Sequence, residues 1–322
     1  MVTWLGAQLT YGQTRAVLAE VGGINVSKSS CWRIMQACGA GIVQALAGEE
    51  ARVKAAAREW STPGGRPVAQ GPMGVALDGA MIHLIGEGWK EFKAACVFEV
   101  ELEERSDPRT HDRGWFGHAV HNSYVAHLGG PERLGWQAWS EAQRRGWHAA
   151  RDSMVIGDGA PWIWNLHAEH FADSVTLVDW YHATEHLGEA KLLLYAEADA
   201  QASRWYNHHE QLLYTGHADQ VARSLCTAAD KAQSAEQTTA LRKAAQYFTH
   251  NRDHMHYQDC RNEGWPIGSG MIESGAKQFK ARMTGPGMRW QRPYAERLLA
   301  VRGAVMTSKE RFDDLWARAY AA

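Results

Sequence analysis

The chain reads as a mixed α/β protein: a sheet flanked by helices, interrupted by an all-α block and preceded by a short helical region. Three observations predict this. Apolar runs of strand length, VALDGAMIHLI, FKAACVFEVEL, SMVIG and VTLV, all fall between residues 74 and 178. From Trp180 to about Gln258 no such run occurs, and the pattern is helical and polar. The 322 residues are 45% hydrophobic and 22% charged, a globular composition long enough for two or three units.

Residues 10–45 read as helix, turn, helix. The first helix carries Ala16, Val17, Ala19 and Glu20. Gly22-Gly23-Ile24-Asn25 then supplies residues that tolerate positive φ. Ser27 or Ser29 can cap a second helix through Trp32, Ile34 and Met35. This outline suits a helix–turn–helix DNA reader, with Lys28, Ser29, Ser30 and Arg33 facing the groove, and equally a plain helical hairpin. STPGGRPVAQGPMG, residues 61–74, reads as a linker. Strands over Gly74–Ile85 and Glu91–Leu102 form a hairpin across Gly86-Glu87-Gly88. A third strand is expected near Ser123–Leu128, a helix over 131–149, a buried strand at Ser153–Gly157, a helix over 161–171 and a strand at Val175–Val178. A helix begins after Pro266. The expected organisation is a helical region (1–66), a first part of the core (71–182), an all-α insertion (183–262) and a second part of the core with basic C-terminal helices (263–322). The insertion is far longer than the usual connection.

Bulk chemistry narrows the class. The formal net charge of −2 gives no overall attraction to a polyanion, so any basic surface is local. The five cysteines are scattered and form no C-x-x-C pair, which argues against a disulfide framework or a cysteine-based zinc site. A reduced, cytoplasmic protein is expected. No signal-peptide pattern opens the chain, and the longest uncharged stretch, Ile34–Gly48, is too short to span a bilayer. The 15 tryptophans serve either as core filler or as stacking platforms for bases or sugars.

The acids carry the chemistry. Asp78 interrupts the apolar run Val75-Ala76-Leu77, where a carboxylate is costly unless something pairs with it. Asp158 follows Met154-Val155-Ile156 and precedes Gly159, so it sits at a strand end where ligands collect. Two such acids can share a divalent cation. In IGSGMIESGAKQFKARM the stripe Ile272, Ala276, Phe279, Met283 has helical spacing, and the adjacent face carries Glu273, Lys277 and Lys280. Ser269 is the expected N-cap. An ordinary exposed Glu–Lys pair is the plain alternative for Glu273. Seven Lys or Arg against one acid lie between Lys277 and Arg302, with Arg282, Arg289, Arg292 and Arg302 as phosphate contacts or, in the plain alternative, a solvated face. Asp179 and His182 form D-x-x-H. With His186 they have the spacing of a zinc site, against a helix cap by Asp179 with His182 near the active site.

Four segments, LDGAMI, IGDGAPWIWNLHAEHF, VDWYHATEHL and PIGSGMIESGAKQFKARMTGPGMRW, occur in this order over roughly residues 74–302. Together they resemble ISKra-type bacterial insertion-sequence transposases, relatives of Mutator-like elements. The stretch ahead of Gly74 is short for that family. The resemblance implies a ribonuclease-H-like core with Asp78, Asp158 and Glu273 as metal ligands, and a helical insertion before the last acid. It implies that His182 of the D-x-x-H element helps place DNA near the metals. The expected activity is transposition. Asp78 bridges two Mg²⁺ ions, for which Mn²⁺ can substitute, and Asp158 and Glu273 each complete one. The expected partner is double-stranded DNA, both element ends and target, bound by a homodimer or higher assembly, with no membrane. The cytoplasmic protein would be nucleoid-associated when bound. Two other classes remain: a non-catalytic DNA-binding protein derived from a transposase, and a glycoside hydrolase using a carboxylate pair.

Overall fold

The computed structural model describes residues 1–56, 71–107, 109, 111, 113–196 and 199–321. The linker expected at 61–74 lies, up to residue 70, outside the described residues.

Five strands form one mixed sheet: β1 (Met73–Leu84), β2 (Gly88–Ser106), β3 (Arg113–His127), β4 (Ser153–Gly157) and β5 (Val175–Val178), in the order β3-β2-β1-β4-β5. β1, β2 and β3 run antiparallel, whereas β4 pairs parallel with β1 and β5 parallel with β4. The β1–β2 turn has Gly86 at φ 79° and Gly88 at φ 73°, which suits glycine at both ends of the turn. β3 is much longer than the apolar run Ser123–Leu128 indicates. Its first half has no period-2 pattern and is held by pairing with the overhanging, exposed end of β2. A register shift at Val97/Glu99, with His121 opposite at φ 51°, separates the two halves.

Side chains alternate across this sheet, and each face has its own helices. Val75, Leu77, Ala95, Val97 and Val155 pack against Leu134 and Ala138 of α4 (Pro131–Arg144) and Ile163 and Leu166 of α5 (Pro161–His170). Both helices start with Pro in the first turn, where no N–H is needed. Ala76, Ala80, Ala94, Cys96 and Ile156 face the other way, into the main core.

The N-terminal helices are α1 (Val2–Gln8), α2 (Tyr11–Glu20) and α3 (Lys28–Ala56). Thr10 and Gln13 close a capping box on α2, and Ser27 Oγ accepts from Ser30 N (3.0 Å) at the start of α3. The block after β5 comprises α6 (Trp180–Leu194), α7 (Ala200–Tyr214), α8 (Ala218–Asp230), α9 (Ala235–Asn251) and α10 (Tyr257–Asn262). The chain then returns to the sheet as α11 (Gly270–Met283), α12 (Arg292–Thr307) and α13 (Lys309–Ala321). Ile272 and Phe279 of α11 and Leu298 and Leu299 of α12 join the main core with Leu187 of α6 and Phe248 of α9.

α3 is 29 residues long and buries Cys31, Met35, Cys38 and Ile42, while Lys28 and Arg33 stay exposed. It lies along α12 and α13. A Cβ at Gly41 would stand 2.6 Å from Ala319 Cβ, so glycine sets this close approach to α13. Gly41→Leu is expected to cost about 1–3 kcal/mol by forcing the two helices apart, read as a lower thermal midpoint. No helix among the described residues is long and apolar enough to cross a membrane.

Candidate active site

β1 and β4 lie side by side in parallel, with Leu77 level with Gly157, so Asp78 and Asp158 follow on matching rungs. Asp78 continues β1 on the main-core side, and its Oδ1 accepts from Gly79 N (2.7 Å). Asp158 ends β4. Its Oδ1 accepts from Ala160 N (2.8 Å), and Gly159 turns the chain at φ 93° into α5. The helical block closes over this turn: Tyr247 Oη of α9 donates to the Asp158 carbonyl (3.1 Å), and Asn251 packs against Gly159.

Asp179 ends β5 and is fully buried at 0% exposure. Its backbone N donates to the Gly157 carbonyl (2.7 Å). One carboxylate oxygen accepts from His182 N (2.9 Å) and caps α6; the other accepts from the backbone N of Ser269. Beside it, Trp180 N donates to the Ile267 carbonyl (2.9 Å). Asp179 therefore ties the start of α6 to the start of α11. Ser269 is the residue before α11, as the sequence indicates, but its hydroxyl makes no cap bond; Asp179 takes its N–H instead.

That tie sets Glu273 in the first turn of α11. Ligand atoms of Asp179, His182 and Glu273 all lie within 4.8 Å of one another. Among the described residues this is the group of possible metal ligands that comes together; the expected Asp78–Asp158–Glu273 set does not form such a group by itself. Yet Asp179 is shut away with both oxygens accepting N–H groups, whereas Asp78, Asp158 and Glu273 are only half-buried. Asp179 therefore has both oxygens taken by backbone N–H groups, and Asp78, Asp158 and Glu273 keep some access to solvent. His186 is drawn away: its ring lies 3.8 Å from that of Tyr247 and its Nδ1 3.4 Å from Glu189. The Asp179–His182–His186 zinc alternative is not assembled; Glu273 takes the third place.

Electrostatics tie Asp78 to the same point. Burial pushes its carboxyl from 3.8 up to about 6. The Gly79 N–H and His182 pull it down, and Asp158 and Glu273 push it further up. Asp158, Glu273 and His182 thus all lie near enough to act on the Asp78 carboxyl, and Lys277 lies 3.5 Å from Glu273. Such a set is costly without a cation. Its oxygen donors fit Mg²⁺ or Mn²⁺, and His182 adds a donor that Mn²⁺ accepts more readily.

The basic candidates divide. Lys277, Lys280 and Arg289 are exposed, as are Lys28 and Arg33 at the start of α3. Arg282 and Arg302 are not part of any surface strip, being 3% and 8% exposed. Arg282 Nε donates to the Gly6 carbonyl (2.9 Å) and its guanidinium lies over Tyr11 (4.9 Å), so it fastens α1 to α11. Arg302 reaches the Gln278 carbonyl (3.4 Å). Helical spacing carried the signal: Arg282 follows Gly275 and Phe279, and Arg302 follows Leu298 and precedes Val305, all buried. Arg292 is occupied by Glu87 (3.1 Å) and the Leu128 carbonyl (3.1 Å). Tyr247 and Asn251, which pack on the Asp158 turn, had no local signal in the sequence.

No protein-family model and no curated protein matches this chain.

Proposed function

We propose that the chain is a metal-dependent polynucleotidyl transferase, a DDE transposase of a bacterial insertion sequence, with Asp78, Asp158 and Glu273 as its triad. The observation that carries this reading is geometric: Asp78 and Asp158 follow the paired residues Leu77 and Gly157 on neighbouring strands, and Glu273 and His182 are held together at Asp179, the ligand atoms of these last three all within 4.8 Å of one another. The sheet order, three antiparallel strands followed by two parallel ones with acids ending β4 and part-way along β1, supports the ribonuclease-H-like core that the sequence resemblance implies. The all-α block between Asp179 and Glu273 supports the insertion. Bound Mg²⁺ would lower the pKa of a water and stabilise the leaving 3′ oxygen in an in-line phosphodiester displacement. Asp78, Asp158 and Glu273 would hold the ions. Asp179 fixes the backbone of His182 and, through Ser269, the helix that carries Glu273. His182, held beside Glu273, would serve as a donor to the phosphate. Exposed Lys277, Lys280 and Arg289, with Lys28 and Arg33, would neutralise phosphates of double-stranded DNA on either side.

The test is cleavage of duplexes covering the DNA that flanks the gene. Wild type cuts with Mg²⁺ or Mn²⁺ and stops with chelator, and Glu273→Gln does not cut. Cutting by Glu273→Gln at the wild-type rate sinks the triad. Chelator-resistant hydrolysis of a glycoside, with no DNA cleavage, would replace the reading altogether. The basic residues have their own test. Lys280→Ala and Arg289→Ala each reduce the slope of log K against log salt by about 0.9 per lost phosphate contact. Arg282→Ala lowers the thermal midpoint and leaves that slope unchanged. Equal slopes in all three variants would remove these side chains from the DNA interface.

A further inference from the structure

A cleft of about 900 Å³ opens beside the acid cluster and runs along the edge strand β3. Near the acids it is bounded by Tyr181, which precedes His182, and by Ser274, which follows Glu273. At the far end stands Arg105 of β2. Its wall interleaves cations with rings. Arg105 lies over Phe116 (5.0 Å), and Arg109 (5.1 Å) and Arg261 (3.4 Å) both lie over Tyr214. Arg109 pairs with Glu210 and Arg261 with Asp107 (3.6 Å), which fixes these two guanidinium planes. Arg105 has no acidic partner among the described residues and is exposed. Tyr181 is 62% exposed, so one ring edges into solvent at the mouth nearest the acids. His118 Nδ1 and Asn122 Oδ1, on the β3 side, are buried and have no hydrogen-bond partner.

We propose that this cleft holds an unpaired stretch of DNA strand leading away from the acid cluster. Exposed Tyr181 offers a face on which a base can stack, and Arg105, without an acidic partner among the described residues, a charge to meet a phosphate, in a wall whose other guanidiniums are already seated on rings. A duplex keeps its bases stacked inside and offers the Tyr181 ring nothing. A strand end that frays from its duplex at the acids would lie beside Tyr181. The ligand's being DNA rests on the polynucleotidyl reading above, but the binding does not require cleavage.

The test uses the full chain in chelator. Fluorescence anisotropy is measured with a labelled single strand about a dozen nucleotides long, within the range such clefts cover, and with its duplex. Tyr181→Ala is expected to weaken single-strand binding roughly tenfold, the loss of one stacked base. Tyr181→Phe retains the ring and the affinity. Arg105→Ala weakens the single strand and not the duplex. Tyr181 is mostly in solvent, so its variants should keep the wild-type thermal midpoint. Wild-type single-strand affinity in both Tyr181→Ala and Arg105→Ala overturns the proposal, as does an equal loss for strand and duplex. If cleavage fails while this selective loss appears, the cleft stands and the chemistry falls. If cleavage succeeds without it, the cleft alone falls.

Discussion

Asp78→Asn is expected to abolish metal-dependent cleavage and yet to make the metal-free protein more stable at neutral and alkaline pH. The sign follows from protonation. Burial raises the Asp78 carboxyl from 3.8 to about 6. A carboxyl raised on folding binds its proton more tightly in the native state. Its contribution is therefore fully present below the unfolded value, near 4, and is lost as pH rises through about 6. Above that, wild type carries a charge it would rather not hold, pressed by Asp158 and Glu273. The shift corresponds to about 3 kcal/mol at most, and solvent access to this half-buried group leaves about 1–2 kcal/mol. Without metal, Asn should raise the midpoint at pH about 8 by roughly 2–4 °C and give little difference at pH about 4. Mg²⁺ should reverse the ranking, since ligand binding stabilises only the chain that holds it. The measurement is thermal unfolding of both proteins across pH, with chelator and with Mg²⁺. A variant less stable than wild type at high pH in chelator would contradict the account, and so would an equal response of both to Mg²⁺.

Asp179→Ala is expected to have the largest effect on stability. The carboxylate is fully buried and accepts N–H groups from two helix starts. Removing it strands the Ser269 N–H, in a residue only 2% exposed, and uncaps α6. Hydrogen bonds to a buried charge contribute about 1.5–3 kcal/mol each, so the loss should be about 3–5 kcal/mol, with a midpoint lowered by roughly 5–10 °C. Asp179→Asn keeps an acceptor for one of the two donors and should cost about half as much. Activity separates holding from packing. Well below its midpoint, Asp179→Ala should still bind metal poorly, because α11 is no longer fixed and Glu273 drifts. Wild-type metal affinity in folded Asp179→Ala would leave Asp179 with no positioning role.

These two acids show what the sequence discloses. β4 and β5 are observed at the residues their short apolar runs mark, because a strand buried on both faces has no other pattern to follow. The positions of Asp78 within β1 and of Asp158 just after β4 are readable for the same reason, since each interrupts or follows such a run. The first half of β3 was not legible. Gly114, Gly117, His118 and Asn122 have no alternation, and only the overhang of β2 makes them a strand. Glu273 was visible by its helix face and by resemblance. What places it is a backbone N–H meeting a carboxylate 90 residues away, and no local period encodes that. Arg282 and Arg302 lie on the buried faces of their helices, which a charge count along the chain does not distinguish from the exposed ones.

The bond between Asp179 and Ser269 also sets an order in time. On the ribosome the sheet strands are complete by residue 178, with two of the three half-buried carboxylates. The third arrives nearly a hundred residues later, after the whole helical block has been translated, a delay of roughly 5–20 s at ordinary elongation rates. Until then one sheet face lacks α11 and α12, and α3 lacks the helices it lies along. A nascent or prematurely ended chain thus carries sticky, uncovered surface but no assembled acid cluster. The acid cluster comes together only once α11, from Gly270 onward, has been made.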